Sequence, residues 1–317
     1  MIAAVSLLVA LLVSLAGAAE PPRTIRDCAD CPTLVVIPAG KFTMGNAGGN
    51  ALGAADESEP ETGETLPLAV VLVRPFALGK LEVTRGDFAR FVKATGYAPA
   101  AGCRVWRDGW AIDPAASWRK PSQPAKPADD HPVNCVGWDD AVAYAAWLAK
   151  ITGKPYRLPS ESEWEYAARA GSTAARPFGN NSFEGVSISL ACDNANVFDV
   201  TAQAVYLFSV PYARCRDGYA DVAPVGRFAA NAFGIHDMIG NVAEWLADCY
   251  TASYWGRPPD GRAWVWKGGC ETRVVRGGSW ASRPSDARSA KRFDAAPDAR
   301  ASTIGFRIAR DLTPEDQ

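Results

Sequence analysis

Histidine is almost missing from this chain: only His131 and His236 occur in 317 residues. Two imidazoles with a carboxylate could form a facial triad for iron, and nothing richer in imidazole can be built. His131 precedes Pro132 and His236 sits in a Gly-Ile-His-Asp-Met run, so both read as structural. A basic surplus is also lacking. With 33 Lys and Arg against 35 Asp and Glu, the net charge is -2, which leaves nothing to hold nucleic acid or anionic lipid. Past residue 19 no apolar run is long enough to span a bilayer. There is no internal repeat. Cys28-Ala-Asp-Cys31 has no second Cys-x-x-Cys to complete a tetrahedral zinc site, so a local disulfide outranks a redox or zinc motif there.

What is present points to export. Residues 2–15 are almost entirely apolar and are followed by Ala16-Gly-Ala-Ala19, the pattern of a secretory signal over 1–19, although no Lys or Arg precedes the apolar run. The mature protein is then expected to be periplasmic or secreted. Eight cysteines, an even number, suit four disulfides in an oxidising compartment. Sequence does not fix their connectivity; locality suggests Cys28 with Cys31, Cys103 with Cys135, Cys192 with Cys215 and Cys249 with Cys270. A 48% hydrophobic content over this length can bury a sizeable core, as one large domain or two small ones.

Along the chain, a short segment 20–32 carries Cys28 and Cys31, and the domain proper runs over 33–312. Residues 33–37, 41–44, 70–73 and 76–83 read as strands. Between them, 46–67 is acidic, rich in Gly and Ala, and without apolar period, as expected of a solvated loop. Thr84 can cap a helix that ends at Gly96, with Phe88, Phe91 and Val92 on one face. Residues 98–132 show no period and read as an irregular excursion clamped by Cys103–Cys135. A helix over 139–152 has a stripe of Val142, Ala145, Ala146, Leu148 and Ala149, stopped by Gly153. Ser160-Glu-Ser-Glu163 is a capping box for another helix, with Gly171 beyond its end. Early-turn Glu161, Glu163 and Glu165 then serve the helix dipole rather than catalysis.

The run Asn-Ala-Phe-Gly-Ile-His-Asp-Met-Ile-Gly-Asn-Val-Ala-Glu-Trp at 231–245 is the stretch the rest is arranged around. Gly240 can take a positive φ and turn the chain sharply. Asp237 and Glu244 flank that turn with free carbonyls between them, a donor set that suits a hard cation such as calcium. The plainer reading is an Asx-stabilised turn. The run resembles the signature of the formylglycine-generating enzyme, or sulfatase-modifying factor, family. Four further blocks match in order: residues 35–45, 156–169, the Arg-Val-Val-Arg-Gly-Gly-Ser-Trp run at 273–280, and Gly305-Phe-Arg307. The resemblance implies a single large α+β domain, a fold related to C-type lectins, with few helices, short strands and much irregular chain. It also implies two structural calcium sites. One uses the Asn196 side chain and Val197 carbonyl with the Asp217 side chain and Tyr219 carbonyl. The other uses Asp237, the carbonyls of Gly240 and Val242, and Glu244.

The resemblance fails at one place. Copper-dependent members carry two cysteines shortly after Arg-Gly-Gly-Ser, and soft thiolates are what Cu(I) needs. Ser282 and Ala287 occupy those positions here, Ala243 replaces a Trp, and no Cys follows Arg273. Copper is therefore not expected. Other relatives are iron enzymes that form carbon–sulfur bonds, with histidines from a further domain that this chain lacks. Ser279, Trp280, Ser282 and Arg283 overlie the family's active groove and are the candidate ligand-binding or catalytic positions. Arg292 and Arg300 read instead as partners of Asp286, Asp294 and Asp298. Two functions stand side by side. One is a modifying enzyme, oxidoreductase-like, acting on a protein, peptide or small molecule without copper–thiolate chemistry. Periplasmic relatives implicated in maturing a siderophore chromophore belong to that class. The other is a non-catalytic, calcium- and disulfide-stabilised binding module.

Overall fold

Apolar residues at 34–37 and 76–79 alternate between two cores, which is why both stretches read as continuous hydrophobic runs. The computed structural model describes residues 21–45, 68–121, 127–179 and 188–316; the expected leader and the 46–67 loop lie outside them. Strands β1 (Thr24–Ile25), β2 (Leu34–Ile37), β5 (Phe76–Gly79), β8 (Tyr156–Arg157) and β13 (Ala309–Asp311) form one sheet in the order β1-β2-β5-β13-β8. All its pairings are antiparallel. A second sheet has the order β11-β10-β9-β12, from β9 (Ala243–Cys249), β10 (Arg273–Arg276), β11 (Arg292–Ala295) and β12 (Ile304–Gly305). Two hairpins stand apart: β3 (Gly40–Met44) with β4 (Leu68–Val73), and β6 (Cys103–Trp106) with β7 (Trp110–Asp113).

The helices follow their caps. In α1 (Arg85–Thr95) Thr84 and Asp87 form a reciprocal capping box and Gly96 closes the end at φ 68°. In α3 (Glu161–Arg169) Ser160 and Glu163 do the same, as the sequence predicts. α2 (Trp138–Thr152) ends at left-handed Gly153. Its buried face is Ala141, Tyr144, Ala145 and Leu148, while Val142 and Ala146 are exposed. The expected stripe was therefore rotated, because Tyr144 fills the space beside Phe88 and Phe91. Short helices α4 (Ile188–Asn194) and α5 (Val200–Tyr206) fall in a stretch where no period predicts them.

One core packs Leu34 and Ala77 with Phe88, Phe91, Tyr144 and Trp245. The other packs Val35, Ile37, Phe76 and Leu78 with Trp164, Ala167 and Leu246. β9 contributes to both, Trp245 to the first and Leu246 to the second, so the strand leaving the 231–245 run ties the cores together. The four expected cysteine pairs are all bonded. Two expectations change. The strand over 76–83 stops at Gly79, and Glu82 turns into the interior to meet the Val242 amide. The excursion over 98–132 contains the β6–β7 hairpin, whose loop is Arg107-Asp108-Gly109 with Asp108 at φ 54°.

Candidate functional site

The 231–245 run turns through Asp237, Gly240 and Asn241, all at positive φ. Gly240 is obligatory: a Cβ there would lie 2.1 Å from the Asn196 carbonyl oxygen. Asp237 and Glu244 flank this turn and are both buried. Asp237 Oδ2 accepts the Gly226 amide at 2.6 Å, and its Oδ1 is buried with no hydrogen-bond partner. Glu244 is more committed. Trp164 Nε1 donates to it at 2.8 Å, and Arg307 donates Nε and an Nη at 2.6–2.8 Å.

The Asn196 constellation is stapled by Cys192–Cys215. Asn196 Nδ2 donates to the Asp221 carbonyl at 2.8 Å, while its Oδ1 is buried and unpartnered. Asp217 Oδ1 accepts the Tyr219 amide at 2.8 Å, and Asp217 Oδ2 is buried without a partner. Beside it Asp199, fully buried, caps α5 and accepts the Asp217 amide at 2.7 Å. Burial pushes the Asp217 carboxyl up to about 8, with Asp199 adding to the rise against the Tyr219 amide. Orphaned buried oxygens of this kind are rare, because each forgoes its hydrogen bonds with water.

Glu82 joins the two constellations, and the sequence reading missed it. The only local signal was a carboxylate between Leu81 and Val83 in a stretch read as a strand. Glu82 is buried and accepts Asn241 Nδ2 at 2.7 Å and the Val242 amide at 3.1 Å. Burial, then Asp237 and Glu244, hold its carboxyl well above the ordinary range, against the pull of Arg307. Burial likewise pushes Asp237 up to about 6, against the Gly226 amide and Arg307. Three carboxylates thus share one guanidinium, an arrangement that favours an added cation. Among the described residues no group of three or more His, Cys, Asp and Glu side chains is arranged to hold a metal. The donor sets expected from the sequence include amide and backbone oxygens as well.

The Arg-Gly-Gly-Ser-Trp run leaves β10 through Gly277 and Gly278, at φ 94° and 72°. Ser279 and Trp280 are buried, whereas Ser282 is part-exposed. Ser282 Oγ accepts the Ser279 amide at 2.9 Å and lies 3.4 Å from Ser279 Oγ. A Cβ placed on Gly278 would lie 3.3 Å from Ser282 Oγ and 3.5 Å from Ala287 Cα, so the two positions converge on one point. Trp280 packs at tilted angles against Tyr206, Phe208 and Trp110. Arg283 pairs with Asp286 at 2.9 Å.

The arginines and early glutamates are structural in a way the dipole reading understates. Glu161 and Glu165 are fully buried. Glu161 pairs with Arg292 at 2.6 Å, Arg276 at 3.3 Å and Arg257; Glu165 pairs with Arg169 at 2.9 Å and with Arg276. Glu163 completes the capping box and meets Arg157 at 2.7 Å. Arg292 therefore answers Glu161 rather than a nearby Asp. Arg300 meets Asp140 at 3.4 Å and donates to the Asp298 carbonyl at 2.8 Å. His236 donates to the Phe228 carbonyl at 2.8 Å, and His131 lies 3.0 Å from Asp130.

Comparison with known proteins matches this architecture. The model of the sulfatase-modifying factor enzyme 1-like domain matches residues 20–312. The formylglycine-generating enzyme of Thermomonospora curvata is 35% identical over 309 residues, covering 88% of this chain and 93% of the relative. The inactive C-alpha-formylglycine-generating enzyme 2 of Mus musculus is 29% identical over 320 residues, covering 91% and 89%. The solved structure of PvdO from Pseudomonas aeruginosa is 36% identical with a TM-score of 0.75, covering 93% of this chain and all of that one. With the ordered sequence blocks, the converging Ser282 and Ala287 positions and a family match over nearly the whole length, the chain belongs to the sulfatase-modifying factor family.

Proposed function

We propose that this protein is an exported, calcium- and disulfide-stabilised member of its family. On this reading it binds a protein, peptide or small molecule at the Ser279–Arg283 surface without copper–thiolate chemistry. The observation that carries the reading is the convergence of Ser282 and Ala287 beside Gly278. A two-thiolate site needs two adjacent positions. Here they hold a hydroxyl and a methyl, neither of which is a soft ligand for Cu(I). Nor does Ser282 resemble an activated nucleophile: its described side-chain partners are the Ser279 amide and hydroxyl, not a general base.

Calcium is supported by the orphaned oxygens. Asn196 Oδ1, Asp217 Oδ2 and Asp237 Oδ1 are hard donors without partners, as an oxygen-seeking cation requires. Asn196 and Asp217, with the Val197 and Tyr219 carbonyls, would hold one ion. Asp237 and Glu244, with the Gly240 and Val242 carbonyls, would hold the other. Two orphaned oxygens favour the first site more strongly than the single one favours the second, where Arg307 already engages Glu244. When bound, calcium supplies positive charge and a crosslink between loops that little regular structure restrains. Export is supported by four disulfides. No helix among the described residues is long and apolar enough to cross a membrane.

A second reading, a modifying enzyme of oxidoreductase type with another chemistry, is favoured by 35% identity to a relative named as an enzyme over 88% of this chain. Elemental mass spectrometry of purified protein separates the two. Calcium without stoichiometric copper or iron supports the binding module; stoichiometric iron or copper overturns it in favour of the enzyme.

A further inference from the structure

We infer that Asn241 couples the two cation sites, so that filling the Asn196/Asp217 site strengthens cation binding at the Asp237/Glu244 site. The inference rests on the calcium reading above and adds a positioning residue that belongs to neither donor set.

Asn241 is bonded to Asn196 of the first site and, between Gly240 and Val242 in the chain, reaches the second through Glu82, which holds the Val242 amide. Its backbone amide donates to the Asn196 carbonyl at 2.8 Å, and its Oδ1 accepts Asn196 Nδ2 at 3.2 Å and the Ala223 amide at 2.9 Å. On the other side its Nδ2 donates to Glu82 Oε2 at 2.7 Å, while the Val242 amide donates to Glu82 Oε1 at 3.1 Å. Asn196, Asn241 and Glu82 are all buried, at 1%, 0% and 2% exposure, so water cannot substitute for a lost partner.

A primary amide has one accepting end and one donating end, and its orientation therefore carries information. When Asn196 turns Oδ1 toward a cation, its Nδ2 must face Asn241 Oδ1. That arrangement points Asn241 Nδ2 at Glu82 Oε2 and holds Glu82 Oε1 on the Val242 amide, in the turn that carries the second donor set. A flipped Asn241 would set its oxygen against the Glu82 carboxylate and its NH₂ against the Asn196 and Ala223 donors. The chain of amides thus has one satisfied arrangement, and an ion on Asn196 Oδ1 holds it through Asn241 as far as the Glu82–Val242 contact. Coupling of this kind is reciprocal: each ion strengthens the other by the same factor. Asn is also suited to the backbone here, because Asn241 sits at φ 57°, a region that Asn tolerates.

The test is calorimetric titration of the chelator-stripped mature protein with calcium alone, in a cycle of two substitutions. Asp217→Asn removes the first site. In the natural background it is expected to weaken the remaining site about tenfold, a typical coupling. Asn241→Gly keeps the left-handed backbone while deleting the amide, and in that background Asp217→Asn should leave the remaining site unchanged. Equal effects of Asp217→Asn in both backgrounds, or no effect in either, overturn the coupling. Should a variant not fold, the isotherm of the unmodified protein decides: cooperative uptake of two ions supports the inference, and two independent constants overturn it alone. No uptake of calcium overturns the calcium reading together with the inference.

Discussion

Arg276 reaches Glu161 across 3.3 Å with both side chains fully excluded from water. Burial alone would push the Glu161 carboxyl up, but Arg292, Arg257 and Arg276 together pull it down to about 2, from an ordinary 4.5. A carboxylate with a depressed folded value contributes stability above the unfolded value, and loses it as pH falls through the folded one. Chemical-denaturation midpoints should therefore drop between about pH 4.5 and pH 2. Glu161→Gln leaves three guanidinium groups short of a partner and is expected to cost about 3–5 kcal/mol near neutral pH. The variant should also show a flatter pH profile across the same window. A variant with the natural profile would contradict this role for Glu161.

Chelation should lower the melting temperature. An ion held at about a hundredfold its Kd adds roughly 2.7 kcal/mol, or about 4 °C in a chain of this size. Asp217→Asn should reproduce part of that loss without disturbing an arginine pair. Glu244→Gln should reproduce more, because it also weakens the bonds to Arg307. Scanning calorimetry before and after exhaustive chelation gives the answer, and superimposable curves would count against both sites.

All eight cysteines are bonded in the structure, so alkylation of the denatured, unreduced protein should add no mass. Cys103–Cys135 spans 32 residues and restricts the unfolded chain by about 3–4 kcal/mol. The Cys103→Ala/Cys135→Ala variant should fall in stability by that order in urea. Two alkylated thiols per natural chain would break the disulfide framework.

Much of this was legible, for local reasons. The Ser160/Glu163 capping box is a four-residue signal and appears where the sequence puts it, as does the Thr84 cap, to which the structure adds Asp87 as its reciprocal partner. The three-residue Arg107-Asp108-Gly109 loop of the β6–β7 hairpin is equally local, hidden by the short strands around it. The face of α2 was not legible, since an alanine-rich helix offers several near-equivalent stripes and Tyr144 decides among them. Glu82 and Glu161 were beyond local reading altogether. Their partners Asn241 and Arg292 lie 159 and 131 residues away, and no periodicity carries information over that range. The candidate groove was legible as residue identities at Ser282 and Ala287; their convergence at Gly278 needed coordinates.

Gly240 gives a backbone test of the 231–245 turn. At φ 85°, with an added Cβ only 2.1 Å from the Asn196 carbonyl oxygen, Gly240→Ala combines a clash with strain of about 1–3 kcal/mol. It should destabilise the protein by more than the strain alone and abolish calcium protection. Gly268→Ala, where nothing lies within 4 Å, should stay within about 0.5 kcal/mol of the natural chain. Thermal melts with and without calcium compare the two, and equal effects would contradict the assigned turn.

Departure from copper–thiolate chemistry has its own direct test. Purified protein is incubated with copper, oxygen, a reductant and a Cys-x-Pro-x-Arg peptide, and the peptide mass is followed. A parallel sample carries Ser282→Cys and Ala287→Cys, which restores two thiolates at converging positions and should bind copper, with turnover still limited by Ala243 where relatives carry Trp. For the natural chain the expected result is an unchanged peptide mass apart from thiol oxidation. Aldehyde formed over multiple turnovers by the natural chain would contradict the proposal.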